Sequence, residues 1–445
     1  MVKDDIVLAR SLGDVFGISP DDADILEDLR RDIVIKDVAV GETLMTQGEP
    51  SDALYVLLQG RLCASTATAE GEVFLGEIRR GETIGETGVI MEAPRGATVR
   101  ATRTSTVARL SAKALHGLLG KYPTLSIAIA RTLISRAARD AGPRHPGFVP
   151  ETLCLLRASQ AVDLAETAEL LAREAGGPVR IVSKTDDPQA ARREIHEGER
   201  AGQRVFILAD LDDAAWLALA VSEADEVVRI VDAGDGPEAA PGETAIERAE
   251  GAVLPRHTLL ILHPDATKSP TGTKAWLAGR QVDRHLHMRR GNAQDRGRVG
   301  RLLSGRGVGI VFAGGGARGA AHLGAIRALQ EAGVDFDIVG GTSIGAAVAA
   351  WYAMGLRGTA LDAAACKVFV ESGGPTSDWN LLPILSLVKG KRTRDLAIAA
   401  IREATGRDID IEDTWTPYFC LSANYTAQDQ AVLQRAPLWK ALTAT

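Results

Sequence analysis

Two glycine-framed turns in the last third of the chain constrain its fold more than any other feature. The first spans Gly314 to Gly319 with the sequence GGGARG, and the second spans Gly341 to Gly345 with the sequence GTSIG. Each turn follows an apolar run and precedes a helical pattern, so both are predicted where a strand passes into a helix. In a G-x-S-x-G turn the glycines allow a tight backbone that exposes the serine hydroxyl. The sequence therefore predicts a nucleophilic Ser343.

The first turn complements the second. Its consecutive N–H groups lie near a helix N-terminus, where the backbone dipoles favour a developing oxyanion. The residues predicted to form this oxyanion loop are Gly314, Gly315, Gly316, Arg318 and Gly319. Either turn alone is a weak signal, but the pair in this order indicates a single site.

At these residues the chain resembles the patatin-like phospholipases, in which the glycine-rich loop forms the oxyanion hole and the serine works with one aspartate, without histidine. The similarity continues in segments 320–324, 381–385, 411–415 and 438–442. The downstream segments resemble the neuropathy-target-esterase branch, whose members hydrolyse phospholipids and lysophospholipids. The resemblance implies Ser343 as the nucleophile and the amides around Gly315 and Gly316 as oxyanion donors. It implies no metal and no required cofactor.

A different function also fits the first turn. Its glycines match the dinucleotide-binding fingerprint, and Asp335 or Asp337 stands at about the distance expected for a carboxylate that binds a ribose. The serine turn on the next strand argues against a dinucleotide, because such a cofactor gives no reason for Ser343. A further alternative is that Ser343 is only a small residue suited to close packing of a helix on a strand.

The aspartate of the dyad is missing from its expected place. In the patatin-like family it lies in an Asp-Gly-Gly or Asp-Gly-Ala turn downstream of the segment similar to 438–445, and no Asp-Gly pair follows Ser343 here. Without a base the serine hydroxyl stays protonated and weakly nucleophilic. His322 is a candidate substitute, although its position early in a helix favours a packing role. We therefore expect a truncated hydrolase that is inactive in this form.

Composition narrows the remaining function classes. The formal net charge of −7 gives no overall basic field for nucleic acid. The four cysteines are scattered without metal-binding spacing, which is typical of a reducing compartment. The sequence has no signal-peptide pattern and no uncharged apolar run of the ~18 residues that a membrane span needs. We expect a cytoplasmic protein that meets membranes peripherally, with a homo-oligomer as a candidate state.

Residues 1–142 are predicted to form a separate unit. Short alternating runs at 54–58, 73–78 and 106–110, separated by glycines, are typical of a β roll with flanking helices. Within this unit, residues 84–99 resemble the phosphate-binding cassette of cyclic-nucleotide-binding domains. The residues that the resemblance assigns to nucleotide binding are Gly85, Glu86, Arg95, Gly96, Ala97 and Thr98.

The side chains of this cassette suit a cyclic nucleotide. Arg95 can pair with the phosphate, Glu86 can accept a hydrogen bond from a ribose hydroxyl, and small residues let backbone N–H groups approach the phosphate. Gly88 and Gly96 stand where the family often has alanine, which predicts a looser backbone and weaker binding. We expect cyclic AMP or cyclic GMP as a regulatory ligand. The alternative is a β roll that no longer binds nucleotide, with Arg95 held in an ion pair.

A stretch rich in proline and glycine at 142–150 predicts a linker, and residues 150–300 predict an α/β connector. Strand and helix patterns alternate between residues 152 and 263, which favours a Rossmann-like parallel sheet. The turn at 158–160, after the first strand, has no glycine. A scaffold or regulatory role is therefore favoured over phosphate binding.

Eight arginines lie between residues 280 and 306. One interpretation is a basic surface that meets anionic lipid headgroups, each cation near the surface contributing ~1 kcal/mol. The favoured interpretation is a solvated connecting segment whose arginines pair with acidic residues of the first two domains. The apolar segment 379–388, followed by lysines and arginines, is predicted to be an interfacial lid over an acyl site or a buried helix.

These features predict a multidomain α/β plus β fold. A β roll with flanking helices is followed by a Rossmann-like connector and, over residues 305–445, by the first part of a patatin-type three-layer α/β/α domain. The complete enzyme is predicted to hydrolyse phospholipid or lysophospholipid esters through a Ser-Asp dyad, with the β roll as a regulatory domain. The alternative from another class is a sensor or scaffold that binds nucleotide or membrane and does no chemistry.

Overall fold

The computed structural model describes residues 23–445 except 69–70, 79, 124, 128–129, 131–149, 247–254 and 372–389. Its four sheets build three units along the chain. The lid or helix predicted at 379–388 lies outside the described residues. Among the helices that are described, none is long and apolar enough to cross a bilayer.

The first unit is a β roll. Its strands are β1 (Ile33–Val38), β2 (Thr43–Met45), β3 (Ala53–Gln59), β4 (Leu62–Thr68), β5 (Gly71–Ile78), β6 (Thr83–Ile84), β7 (Thr98–Ala101) and β8 (Ser105–Ser111), and its helices are α1 (Ala23–Asp32), α2 (Glu86–Ile90) and α3 (Ala112–Lys121). The strands form two antiparallel sheets in the orders β1-β8-β3-β6 and β2-β7-β4-β5. One face of each strand packs inward, and Leu57, Leu62 and Val107 are completely buried there.

The second unit is a six-stranded parallel sheet between helices. Its strands are β9 (Thr152–Arg157), β10 (Val179–Val182), β11 (Arg204–Asp210), β12 (Glu226–Asp232), β13 (Arg256–His263) and β14 (Arg284–Arg289). Its helices are α4 (Leu164–Glu174), α5 (Pro188–Arg200), α6 (Ala214–Glu223), α7 (Thr273–Leu277) and α8 (Ala293–Leu303). The strand order is β10-β11-β9-β12-β13-β14. Helices α4 and α8 cover one face and α5 and α6 the other, so the central strands are mostly apolar, as is typical of parallel sheets, with Arg229 of β12 a buried exception.

The arginine-rich segment is not a solvated connecting segment, so that part of the interpretation was wrong, but its arginines do pair with acidic residues of the second unit, as expected. It forms β14 and α8, and most of its guanidinium groups are paired with acids of the second unit itself. The ion pairs are Arg280–Glu243, Arg284–Glu226, Arg289–Asp295, Arg290–Asp232 and Arg298–Asp295, together with Arg301–Asp337 to the third unit. Arginines held in buried pairs mask the apolar alternation of a strand, which explains the misreading.

The third unit contains both glycine-framed turns. Its strands are β15 (Gly309–Phe312), β16 (Ile338–Gly341), β17 (Tyr418–Asn424) and β18 (Asp429–Leu433). Its helices are α9 (Ala320–Glu331), α10 (Ile344–Ala353), α11 (Gly358–Cys366), α12 (Lys391–Thr405) and α13 (Leu438–Ala444). The order is β15-β16-β17-β18, with the first three strands parallel and the last antiparallel.

The described helices of the third unit pack on one face of its sheet. That face carries Phe312, Val339 and Cys420, which share a core with α9 to α13. On the opposite face Val311 is 62% exposed, and Val432 is 51% exposed. The described residues therefore supply the sheet and one helical layer of the predicted α/β/α domain.

A chain of histidines joins the second unit to the third. His263 Nε2 lies 2.9 Å from His287 Nδ1, and His287 Nε2 lies 2.9 Å from the Glu412 carbonyl oxygen. A carbonyl only accepts, so His287 carries its proton on Nε2 and His263 donates to its Nδ1. Burial lowers the pKa of His263 to about 4, against the opposing effect of Asp232 and Asp295. Both imidazoles are therefore neutral at pH 7.

Candidate active site

Ser343 has the strained backbone expected of a nucleophile turn. It follows β16 directly, its φ is +52° and ψ −126°, and its side chain is exposed. Few non-glycine residues adopt positive φ, because Cβ then crowds the neighbouring carbonyl groups. Strain of this kind persists where the surrounding structure enforces it, and it is concentrated at functional sites.

The glycines around Ser343 are required by the packing of the two turns against each other. A Cβ on Gly345 would lie 2.7 Å from the Ala313 oxygen and closer still to the Phe312 oxygen. A Cβ on Gly319 would lie 2.8 Å from Cγ2 of Ile344 and closer to its Cγ1. The residue after the serine and the end of the oxyanion loop are thus in direct contact, which holds the loop beside Ser343.

The oxyanion loop lies next to the Ser343 side chain, and no side chain caps its helical turn. A Cβ built on Gly314 would lie 3.4 Å from Ser343 Cβ, and Gly316 has φ +54°. The short helical turn Gly316–Gly319 and α9 both begin without a side-chain cap. Arg318 points into solvent. Uncapped amides at a helix start are available to an anion in the way that an oxyanion hole requires.

His322 stabilises the start of the oxyanion loop through a hydrogen bond and a ring contact. Its Nε2 lies 2.9 Å from the Ala313 carbonyl oxygen, so it must carry the proton and donate. Its ring packs on Phe312 with a centroid distance of 5.2 Å. His322 therefore ties the first turn of α9 to the residue before the glycines, and this nitrogen has no lone pair with which to take a proton from Ser343.

No carboxylate within the described residues hydrogen-bonds to the Ser343 hydroxyl. The Ser343 amide donates to the Thr445 hydroxyl over 2.8 Å, a neighbour that no sequence pattern indicated. Asp413, an aspartate downstream of Ser343, accepts from the amides of Thr273 and Asp410 at 3.0 and 3.2 Å. One of its oxygens thus binds the second unit and the other binds its own turn, so both are already bonded.

The position of Asp337 argues against the dinucleotide alternative. Asp337 lies at the amino end of β16, whereas the glycine loop follows the carboxyl end of β15. Asp337 is completely buried and accepts two hydrogen bonds from Arg301, at 3.0 and 2.8 Å. A ribose bound at the loop could not reach this carboxylate.

The cassette predicted to bind nucleotide surrounds a cavity of about 370 Å³ in the β roll. Gly85, Glu86, Arg95, Gly96 and Ala97 all line this cavity. Thr98 does not, and its hydroxyl accepts from the Gln47 amide at 3.1 Å. Other lining residues were not predicted, although the alternating pattern indicated the strand β5 that carries three of them; they include Met45 on β2 and Leu75, Glu77 and Ile78 on β5.

Arg95 is buried and bound to protein groups. It is 4% exposed, and its Nη2 donates to the Ala53 carbonyl at 2.7 Å and to Asp52 at 3.1 Å. Its Nη1 donates to the Gly85 carbonyl at 3.1 Å. Burial would raise the pKa of Asp52, but Arg109 and Arg95 outweigh it and lower this pKa below the ordinary value. An incoming phosphate must therefore compete with an ionised carboxylate for Arg95.

The two glycines that depart from the family pattern have different surroundings. A Cβ on Gly88 would lie 3.0 Å from Ser51 Cβ, because the Ser51 side chain fills that space and donates to the Ala93 carbonyl at 2.7 Å. A Cβ on Gly96 would meet nothing within 4 Å. An alanine would therefore require Ser51 to move at position 88 but would fit at position 96.

Comparisons with known proteins match the two units that carry these residues. The model of the cyclic nucleotide-binding domain matches residues 35–122, and the model of patatin-like phospholipase matches residues 310–417. The chain thus combines a cyclic-nucleotide-binding-type β roll with a phospholipase-type hydrolase domain.

Relatives extend this similarity over nearly the whole chain. An uncharacterized NTE family protein of Mycobacterium tuberculosis is 30% identical over 438 residues, which cover 95% of this chain and 70% of the relative. Patatin-like phospholipase domain-containing protein 7 of Rattus norvegicus is 28% identical over 92% of this chain and 34% of its own length. Lysophospholipase NTE1 of Mycosarcoma maydis is 25% identical over 91% of this chain and 26% of its own length. The chain belongs to the NTE family.

Proposed function

We propose that Ser343 is the nucleophile of a phospholipid or lysophospholipid esterase. Its Oγ attacks the ester carbonyl carbon, and the carbonyl oxygen becomes an oxyanion held by the amides of Gly315 and Gly316. The alcohol leaves with a proton, and water then releases the fatty acid from the acyl-enzyme. The observation that carries this proposal is the positive φ of Ser343 beside a loop of uncapped amides.

The substrate class is inferred from relatives. One relative is named a lysophospholipase and another a patatin-like phospholipase domain-containing protein. Ester substrates of this class lie in bilayers or micelles, so the proposed enzyme works peripherally, at a lipid surface.

We further propose a Ser-Asp dyad whose aspartate is not supplied by residues 1–445. No Asp-Gly pair follows Ser343 in the chain. Loss of the base from a nucleophile–base unit removes most of its rate advantage. The 445-residue chain is accordingly expected to be hydrolytically silent.

The nucleophile assignment is tested with a fluorophosphonate probe on a protein that carries this chain and a dyad aspartate. We expect labelling at Ser343, found by peptide mass spectrometry, and its loss in Ser343→Ala. Ser422→Ala is a matched control, since Ser422 lies on β17 of the same unit but outside either turn. Labelling that survives in Ser343→Ala contradicts the assignment.

The β roll is proposed to bind cyclic AMP or cyclic GMP as a regulatory ligand. Titration calorimetry should show heat with one of them, and Arg95→Ala should remove it, because the phosphate loses its cationic partner. Asp52→Asn should strengthen binding, since it removes the carboxylate that competes for Arg95. Glu86→Gln should weaken binding less than Arg95→Ala, because an amide oxygen still accepts from a ribose hydroxyl. No heat with either nucleotide at millimolar concentration contradicts this role.

A sensor or scaffold without chemistry is the second candidate function. It is favoured by one observation, that no carboxylate of the described residues is bonded to the Ser343 hydroxyl. The two functions differ in one measurement, because a scaffold would not react with fluorophosphonate even when the dyad aspartate is present.

A further inference from the structure

The β roll docks on the connector sheet through two buried arginines. Arg61 precedes β4 and Arg103 lies between β7 and β8, and they are 2% and 3% exposed. Both guanidinium groups reach Asp225, the residue before β12, with N···O distances of 3.1 Å from Arg61 and 3.6 Å from Arg103. Arg103 also donates to the Glu223 carbonyl and pairs with Glu199, each at 2.8 Å.

Asp225 also binds the start of the first connector strand. Its Oδ2 accepts from the amide of Glu151 at 2.8 Å and from that of Thr152 at 3.1 Å, where β9 begins. Burial would raise the pKa of Asp225, but Arg103 and Arg61 outweigh it and hold the pKa below its ordinary value. Asp225 is therefore ionised at neutral pH, and its carboxylate binds groups of both the β roll and the connector.

The other end of the contact reaches the β-roll cavity. Glu77 lines that cavity from β5, and its Oε2 accepts a hydrogen bond of 3.1 Å from Nη1 of Arg61. The Glu77 side chain is 13% exposed. One arginine thus bridges a wall of the cavity and the carboxylate that holds the start of β9.

We propose that the Glu77–Arg61–Asp225 chain couples the β-roll cavity to the connector, so that a ligand that moves β5 shifts the start of β9. A buried charge cannot be pulled gradually from its partner, because it is then left unpaired in a medium of low dielectric. The contact is therefore expected to be either made or broken, which is the two-state behaviour that coupling between sites requires. The coupling is also reciprocal, so the docked connector changes the affinity of the cavity. This inference deepens the proposed regulatory role of the β roll and rests on it.

Hydrogen exchange with mass spectrometry tests the coupling without any ligand. Glu77→Gln should raise exchange about tenfold or more at the amides of Glu151 and Thr152, because a neutral Glu77 no longer holds Arg61 in place. Glu72→Gln is the matched control, because Glu72 lies on the same strand in an exposed pair with Arg100 and should leave these amides unchanged. Equal exchange in the two variants overturns the proposal.

A second experiment, with nucleotide present, distinguishes a failure of the coupling from a failure of the proposed ligand. Saturating cyclic AMP or cyclic GMP should change exchange at the same amides in the unmodified chain, and this change should vanish in Arg61→Gln while binding heat persists. Binding with no change at these amides overturns the coupling. If neither nucleotide binds, the proposed ligand fails, and the Glu77→Gln result alone decides whether the coupling stands.

Discussion

The connector sheet is parallel, and so are the first three strands of the hydrolase sheet, and in both the chain passes from strand to helix at the carboxyl edge of these strands, yet most of their helices begin differently. Of the five described connector helices, α4, α5, α6 and α8 begin with a side-chain cap, and only the short α7 does not. Asp163, for example, accepts from the Glu166 amide at 2.9 Å. In the hydrolase unit the helices that follow β15 and β16 begin without one.

This difference in capping distinguishes helices that stabilise a scaffold from helices whose first amides can bind a ligand. A side-chain cap satisfies one of the first amides of a helix, which adds stability and leaves fewer donors for a ligand. An uncapped start exposes donors that a passing anion can use. The strained Ser343 stands at such a start, and the connector has no residue of that kind among its described positions. The following predictions test whether the two sheets differ in this way.

The largest effect is expected where the two turns touch. Gly345→Ala should cost the hydrolase unit about 3 kcal/mol or more in free energy of unfolding, because its Cβ has no room beside Phe312. Gly324→Ala is the control, since a Cβ there meets nothing within 4 Å of a helical position, and it should be neutral or slightly stabilising. Denaturant melts that give the same midpoint for both variants would contradict the packing of the two turns.

The next effect concerns the oxyanion amides. In a catalytically complete protein, Gly316→Val should lower turnover ~10²-fold, because a β-branched side chain at positive φ displaces the donors. Gly406→Val imposes comparable backbone strain at φ +84°, with open space around it and far along the chain from the loop. Kinetics on a short activated ester should therefore show a loss of turnover only at position 316, and equal losses would point to strain alone.

A pH effect is expected at the histidine joint between the two sheets. The folded pKa of His263 is about 4 against an ordinary 6.5, so the unfolded chain binds more protons between these values. The stability that neutral His263 contributes is complete above about pH 6.5, and about 3 kcal/mol is lost as the pH falls to 4.

Thermal melts of His263→Gln measure this loss, because glutamine keeps an N–H donor for His287 but does not titrate. The variant should lose less stability than the unmodified chain between pH 6.5 and 4. His116→Gln, at an exposed histidine of the β roll, is the control. The joint would not be the titrating element if the unmodified chain and His263→Gln lost equal stability.

The smallest effect is expected at a connector cap. Asp163→Ala should cost about 1 kcal/mol of stability, because the first turn of α4 loses its acceptor. Fluorophosphonate labelling of Ser343 should be unchanged, since the connector caps stabilise only the connector helices. Chemical denaturation and probe labelling on the same samples check both parts, and a change in labelling would show that the two sheets are not separate in function.

Much of the fold could be predicted because its signals are local. The connector strand at 152–157 was predicted with the bounds that the structure has, and its helix and strand neighbours differ by a few residues. Apolar runs of strand length between amphipathic helices leave little choice of architecture. The two glycine turns were also predicted at the ends of strands, where β15 and β16 now lie.

The parts that failed depend on contacts between distant residues. β14 and α8 were not predicted, because arginines such as Arg298 are buried in ion pairs. The pair between Arg298 and Asp295 cannot be seen in the periodicity of the sequence. The Arg61–Asp225 contact joins residues far apart in sequence, and the Thr445 hydroxyl at the Ser343 amide has no motif. The roles of Ser343 and Arg95 remain predictions, because position in a fold does not establish chemistry.

The central claim, that Ser343 is a nucleophile awaiting a base from outside residues 1–445, is tested most directly by turnover of a lysophospholipid. The 445-residue chain is compared with a chimera in which a longer family member supplies an Asp-Gly-Gly or Asp-Gly-Ala turn after Thr445, each with its Ser343→Ala variant. We predict Ser343-dependent turnover in the chimera and a rate at least ~10³-fold lower in the 445-residue chain. Equal Ser343-dependent turnover in the two proteins would contradict the account, and Asp429 would then be the aspartate to replace, since both oxygens of Asp413 are already bonded.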